Sequence, residues 1–279
     1  MMGAPDDDDH EEVPSATEMT PGAIQALVAD PSAMRRSAIS AALRDADSSL
    51  DTFEAGDGPA ALTILREHPM DLVLVDRSLP RLDAGAFLSA LEGRRRETLI
   101  LLLSDTLMPQ WQAVAAQIHA YDVLLKPFRK HHAKRVLRAY SRMRTPARVL
   151  LVDGTEAVRK LVRRMLAETR FKLEVEESHQ ARHALAMLRR STYDVVLVDM
   201  ALPDMSGLAA AVHIKTLSPD TRVVVLGTAP EASLGSALES IGTVGYLEKP
   251  FQAAHLERAL HRAFGLWRPY VLNSRAAAA

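Results

Sequence analysis

The sequence predicts an α/β fold built twice: two tandem, doubly wound domains, each a five-stranded parallel sheet covered by helices on both faces. Three observations carry that expectation. Apolar runs of strand length alternate with segments of helical period, and no hairpin signal joins any two strands. The runs Asp71-Leu72-Val73-Leu74-Val75-Asp76 and Asp194-Val195-Val196-Leu197-Val198-Asp199 are aliphatic on both faces, end in a carboxylate and meet a proline four residues later. They read as central strands of parallel sheets. Finally, Asp199 lies 123 residues after Asp76, and the same spacing separates Asp153 from Asp30 and Lys249 from Lys126. A repeat of that length is a duplicated domain rather than a solenoid.

The elements follow in order. Residues 24–30 form a strand ending in an acid, and the next helix carries Met34, Ala38, Ile39, Ala42 and Leu43 on one face. A second strand lies near 50–54, Gly56-Asp57-Gly58 is turn chemistry, and 59–67 is helical. The Asp76 strand, a helix at about 84–93 and a strand at 99–104 continue the alternation. A helix over 110–118, a short strand at 123–125 ending in Lys126-Pro127-Phe128, and a helix over 129–143 close the first unit. The second unit repeats the order: strand 148–153, helix 157–168, the Asp199 strand, strand 222–227, then Gly245-Tyr246-Leu247-Glu248-Lys249-Pro250-Phe251. Right-handed crossovers fix the winding of both. In such sheets the functional crevice lies at the carboxyl ends of the strands, where Asp76 and Asp199 would stand.

Composition narrows the classes. The 279 residues contain no cysteine, which excludes disulfides, zinc–thiolate sites and thiol catalysis. No apolar run approaches the roughly 18–20 residues needed to cross a bilayer, so a soluble, cytoplasmic protein is expected. Residues 1–22 hold seven acids and no Lys or Arg and read as a disordered tail; the remainder carries a net +6. The expected organisation is a first domain over 23–144, a linker at 145–147 around Pro146, a second domain over 148–266 and a tail from 267 to 279.

An acid ending strand one, an Asp ending strand three before x-x-x-Pro, a small hydroxyl ending strand four and Lys-Pro ending strand five resemble the receiver domain of bacterial response regulators. The likeness covers about 23–143 and 147–266. It implies flavodoxin-like (βα)5 domains and signal reception in a two-component or phosphorelay pathway. Asp76 would accept a phosphoryl group from a histidine kinase or histidine phosphotransfer protein, with Asp199 as a weaker second acceptor. Output would pass to a downstream protein partner, with no enzymatic activity beyond the receiver's own phosphorylation and dephosphorylation, and the resemblance allows a homodimer through receiver faces. It also implies a Mg²⁺ ion held by Asp30, Asp76 and the Ser78 carbonyl, and more weakly by Asp153, Asp199 and Ala201. Ser104 and Lys126 would bind the phosphate, Lys249 and Tyr246 being the second unit's phosphate-binding and switch residues, and both Lys–Pro bonds would be cis. The competing reading is a phosphorylation-independent adaptor.

The departures from the family pattern are specific. Receivers place two adjacent acids after strand one, and each unit here has one. In the second unit Gly154 stands where the second acid belongs. The first unit allows two registers: Asp30 is the first acid with Pro31 replacing the second, or Asp30 is the second with Ala29 replacing the first. The helix faces favour the former. Gly227 is the counterpart of Ser104, with Thr228 able to substitute only if the strand slips by one. Tyr246 has the switch position in the second unit and Val123 in the first. The second unit is therefore expected to be degenerate. A dehalogenase-like hydrolase is the third and weakest reading, because Ser32 and Thr155 stand where that class needs a second Asp.

Other features read as structure. Residues 129–148 hold eight bases and no acid. They are expected to form a solvated helix face, next an acidic-partner or Asp6–Asp9 dock, and last a nucleic-acid surface, since no binding motif accompanies them. The ten histidines are expected at the surface and the methionines in the core. Trp267, Tyr270 and Leu272 are expected first to cap the second unit and next to form a small partner-binding patch. No output domain is expected after either unit.

Overall fold

The computed structural model describes residues 23–93, 97–229 and 233–274. The expected acidic tail, 1–22, and the alanine run, 276–279, lie outside the described residues. The first unit runs β1 (Gln25–Ala29), α1 (Ala33–Ala46), β2 (Asp51–Ala55), α2 (Gly58–Glu67), β3 (Leu72–Asp76), α3 (Ala84–Ala90), β4 (Leu99–Ser104), α4 (Gln110–Gln117), β5 (Asp122–Leu125) and α5 (Lys130–Arg144). The second runs β6 (Ala147–Val152), α6 (Glu156–Ala167), β7 (Leu173–Ser178), α7 (Ala181–Leu188), β8 (Val195–Asp199), α8 (Gly207–Leu217), β9 (Arg222–Gly227), α9 (Gly235–Ile241), β10 (Gly245–Glu248) and α10 (Ala253–Ala263). A last helix, α11 (Tyr270–Ser274), follows.

Both sheets are five-stranded and all parallel, ordered β2-β1-β3-β4-β5 and β7-β6-β8-β9-β10. The order reverses at β1 in one and at β6 in the other, which makes the crevice beside the ends of β1 and β3, or β6 and β8, the place where side chains converge. The aliphatic runs explain the central positions: every residue of β3 and β8 is buried, as bulky branched side chains covered on two faces require. β7 alternates half-buried and exposed positions, with Glu174 and Glu176 facing outward, as an edge strand does. Short polar caps start the helices: Ser32, Asp57, Asp83 and Ser206 accept from backbone amides at the heads of α1, α2, α3 and α8.

The two units share a core. Val136, Ala139 and Met143 of α5 belong to one continuous apolar cluster with Phe171 and with Leu256, Leu260 and Phe264 from the second unit. The basic segment 129–148 is therefore more than a solvated face. Its Ala133, Val136, Ala139 and Met143 are buried, and Arg142 lies 3.9 Å over the Phe264 ring. Bases occupy the outer positions while small and apolar residues face inward.

Three expectations need correction. The 267–272 segment does not cap the second unit. It returns to the first, where Val271 and Tyr270 join the apolar cluster of α2, α3 and α4. Trp267 Nε1 and the Tyr270 amide donate to buried Asp122 at 2.7 and 2.6 Å, and the Tyr121 ring meets Trp267 edge-on at 5.4 Å. A buried carboxylate at the start of β5 needs donors, and this segment supplies two. His261 is not a surface histidine: it is 1% exposed in the last turn of α10 and meets the Tyr121 hydroxyl at 2.9 Å. Met34 is 82% exposed, because the inward face of α1 is taken by Ile39, Ser40 and Leu43.

Candidate functional site

At the carboxyl edge of the first sheet, Asp30 follows β1, Asp76 ends β3, Ser104 ends β4 and Lys126 follows β5. Asp30, Asp76 and Ser104 are buried. The Lys126 ammonium is paired with Asp76 Oδ2, and lies 3.7 Å from Asp30 and 3.4 Å from the exposed Asp105. Asp76 Oδ1 accepts from both the amide and the hydroxyl of Ser78, each at 2.6 Å. Burial pushes the Asp76 carboxyl up, but the hydrogen bonds from Lys126 and Ser78 outweigh it and hold the group below the ordinary carboxylate range. The Ser104 hydroxyl accepts from the Thr106 amide at 3.4 Å. Ser78 thus meets Asp76 through its amide and hydroxyl, its carbonyl being the atom that the family resemblance assigns to a metal.

The most informative residue here is one that sequence reasoning passed over. Arg35 Nε donates to both oxygens of Asp30, at 2.9 and 3.0 Å, and Oδ1 also takes the Ser32 amide at 2.8 Å. That hydrogen bond raises the Arg35 guanidinium above its ordinary value. A cavity of about 300 Å³ opens beside it, lined by Arg35, Ala38, Ile39, Asp105, Lys126, Pro127 and Phe128.

The second site repeats the frame with different contents. Lys249 Nζ donates to Asp153 and Asp199 at 2.8 Å each. Burial lowers the Lys249 ammonium, but its bonds to the two carboxylates prevail and raise it. The Ala201 amide donates to Asp199 at 3.2 Å and the Thr155 amide to Asp153 at 2.8 Å. Gly227 pairs with Glu248 as Ser104 pairs with Leu125, so no slip brings Thr228 into the hydroxyl's place. A Cβ at 227 would stand 2.6 Å from both Met200 Cγ and the Tyr246 hydroxyl. The space a side chain would need is filled, and Tyr246 is held inward by its bond to the Ala229 carbonyl at 2.7 Å.

The repeat also fixes the register of Asp30. Its amide bonds the Ala55 carbonyl, its carboxylate takes the amide two residues on, and its carbonyl takes Arg36. Asp153 does the same with Ser178, Thr155 and Arg159. Asp30 and Asp153 are equivalent, and Pro31 is the counterpart of Gly154. Both Lys126–Pro127 and Lys249–Pro250 are cis.

Receiver domains hold Mg²⁺ at an acidic pocket and interact with histidine kinases and downstream partners. Mg²⁺ demands oxygen ligands in near-octahedral array. In the first unit Arg35 and the Ser32 amide take the Asp30 carboxylate, Ser78 takes Asp76 Oδ1, the Lys126 ammonium lies against Asp76 Oδ2, and Pro31 brings no ligand. Among the described residues no group of three or more His, Asp or Glu is arranged to hold a metal ion. As arranged, this donor set does not fit a divalent ion. Among the described residues no helix is long and apolar enough to cross a membrane.

The response regulator receiver domain family model matches residues 26–138 and 149–261. Response regulator UvrY of Escherichia coli strain K12 is 35% identical over 101 residues, which span 36% of this chain and 46% of UvrY. The chain thus spans about half the length of that relative. Chemotaxis protein CheY-3 of Vibrio cholerae is 29% identical over 119 residues, 42% of this chain and 91% of CheY-3. The crystal structure of a putative two-component system response regulator/GGDEF domain protein aligns with 87% of this chain and 98% of its own at a TM-score of 0.60, and at 20% identity it supports the fold alone. With both matched segments coinciding with the two sheets and their site residues, this chain belongs to the response regulator receiver domain family and carries two such domains.

Proposed function

We propose that the chain receives a phosphoryl group on Asp76 and passes the change on by protein contacts, while the second domain keeps the fold without the full chemistry. The observation that carries this reading is the contrast at strand four. Asp76 and Lys126 have the buried Ser104 hydroxyl beside them on the same sheet edge, whereas Asp199 and Lys249 face Gly227, whose space Met200 and Tyr246 fill.

In the proposed step an Asp76 carboxylate oxygen attacks the phosphorus of a phosphohistidine. The N–P bond breaks, its electron pair stays on the imidazole nitrogen, which takes up a proton, and an acyl phosphate forms. Lys126 and Ser104 meet charge on the equatorial oxygens, since catalysis of such transfers is positioning and electrostatics. A shift of Lys126 and of the loop after Ser104 would reach β5 and α4. Both pack against α11, and β5 is tied through Asp122 to Trp267. The readout therefore runs toward the second domain.

Incubation with a histidine-phosphorylated phosphotransfer domain tests the reading. Wild type should gain an acid-stable, base-labile phosphoryl group that Asp76→Asn lacks; equal labelling of the two would refute it. The adaptor reading draws on Pro31 and Gly154, where each domain lacks an acid. It predicts that Asp76→Asn leaves partner binding untouched.

A further inference from the structure

We infer that the Arg35 guanidinium is the resident counter-charge of the Asp30–Asp76 pocket, so that the first domain meets a phosphoryl group with Arg35 and Lys126 and works without a divalent cation. The inference deepens the proposed reading and rests on it.

The chain contains its own control. Asp30 and Asp153 are equivalent by every backbone bond described above, and Val158 is the counterpart of Arg35. Where valine stands, the lysine is shared evenly: Lys249 reaches Asp153 and Asp199 at 2.8 Å each. Where arginine stands, the lysine is displaced. Arg35 takes both oxygens of Asp30, and Lys126 is left paired with Asp76, 3.7 Å from Asp30. Arg35 has thus assumed one of the two carboxylates.

Charge makes the same point. Asp30 and Asp76 face two positive charges, Lys126 and Arg35, where Asp153 and Asp199 face Lys249 alone. With the exposed Asp105, 3.4 Å from Lys126, the first pocket as a whole carries −1 like the second, so the domains differ in where the positive charge sits and not in its sum. A divalent cation approaching Asp30 and Asp76 would meet a positive charge on each of them, the Arg35 guanidinium on one and the Lys126 ammonium on the other. An incoming phosphoryl group meets the opposite situation. Arg35 is 46% exposed at its side chain, borders the cavity that also exposes Lys126, and retains two terminal nitrogens beyond the one spent on Asp30. A guanidinium suits phosphate oxygens because its donors lie in a planar fork.

The test is a calorimetric Mg²⁺ titration of the full chain as wild type, Arg35→Val, Arg35→Lys and Arg35→Val/Asp76→Asn. Arg35→Val should bind Mg²⁺ tighter than wild type by about tenfold or more, from removal of one nearby positive charge. The gain should vanish in the double variant and be absent in Arg35→Lys. A second arm labels wild type with a small-molecule phosphoramidate, with and without EDTA, and equal labelling is expected. The inference is overturned if Arg35→Val binds Mg²⁺ no tighter than wild type, or if EDTA abolishes labelling of Asp76. Absence of any label on Asp76 with or without Mg²⁺ would instead overturn the phosphoryl-acceptor reading, and the titration would still judge Arg35.

Discussion

Replacing Asp122 by Asn should make the contact between the domains more acid-labile. Asp122 and His261 are both buried where the 267–272 segment and α10 meet the first domain, and burial pushes them in opposite directions. It raises the Asp122 carboxyl from 3.8 to about 6, against the hydrogen bonds from Trp267, Tyr270 and Val123, and lowers the His261 imidazole from 6.5 to about 4. A raised carboxyl favours folding below its unfolded value and loses that contribution as pH rises through 6. The cost of keeping Asp122 ionised is thus complete above pH 6, at about 3 kcal/mol. A lowered imidazole favours folding above 6.5 and loses that contribution as pH falls toward 4. Between pH 7 and 5, His261 then removes about 2 kcal/mol while Asp122 returns about 1 kcal/mol, so the pair partly cancels. Asp122→Asn abolishes the returning half. Urea unfolding at pH 7 and pH 5 should show the variant losing about 1 kcal/mol more than wild type over that interval, whatever its stability at neutral pH. Equal losses in the two proteins would refute the assignment of burial as the cause.

Three further outcomes are expected. Lys249→Met leaves Asp153 and Asp199 buried without their shared cation and should destabilise the chain by about 3–5 kcal/mol in urea unfolding. Gly227→Ser, which would restore the missing hydroxyl, should cost about 1–3 kcal/mol because its Cβ meets Met200 and Tyr246 at 2.6 Å, and should not make Asp199 accept phosphate; thermal melts and labelling check both. Trp267→Ala removes a donor from Asp122 and the ring beneath Arg135, 4.9 Å away, and should speed amide exchange in β5 and α4 while leaving β6 and β8 unchanged.

The fold was legible because aliphatic runs such as Leu72–Val75 and Val195–Val198 admit only a doubly covered strand, and the 123-residue spacing aligns the two domains without knowledge of either. The site was legible as far as each strand end names its own residue. Arg35 was not, because an arginine in the first turn of an amphipathic helix looks like any exposed base. Setting it against Val158 would have marked it as a place where the repeats differ in charge. The bridge between the domains was hidden for another reason. Asp122, His261 and Trp267 lie more than 130 residues apart in the extreme pairs, and local patterning says nothing about which surface a tail returns to. Met34 and His261 illustrate one error in two directions: residue type was allowed to decide burial, whereas the helix face decides it.

The most direct test of the account is intact-mass analysis of the full chain after phosphoramidate treatment, comparing wild type, Asp76→Asn and Asp199→Asn. A single phosphoryl adduct, retained in Asp199→Asn and lost in Asp76→Asn, is the predicted result. An adduct that persists in Asp76→Asn, or that disappears in Asp199→Asn alone, would contradict it.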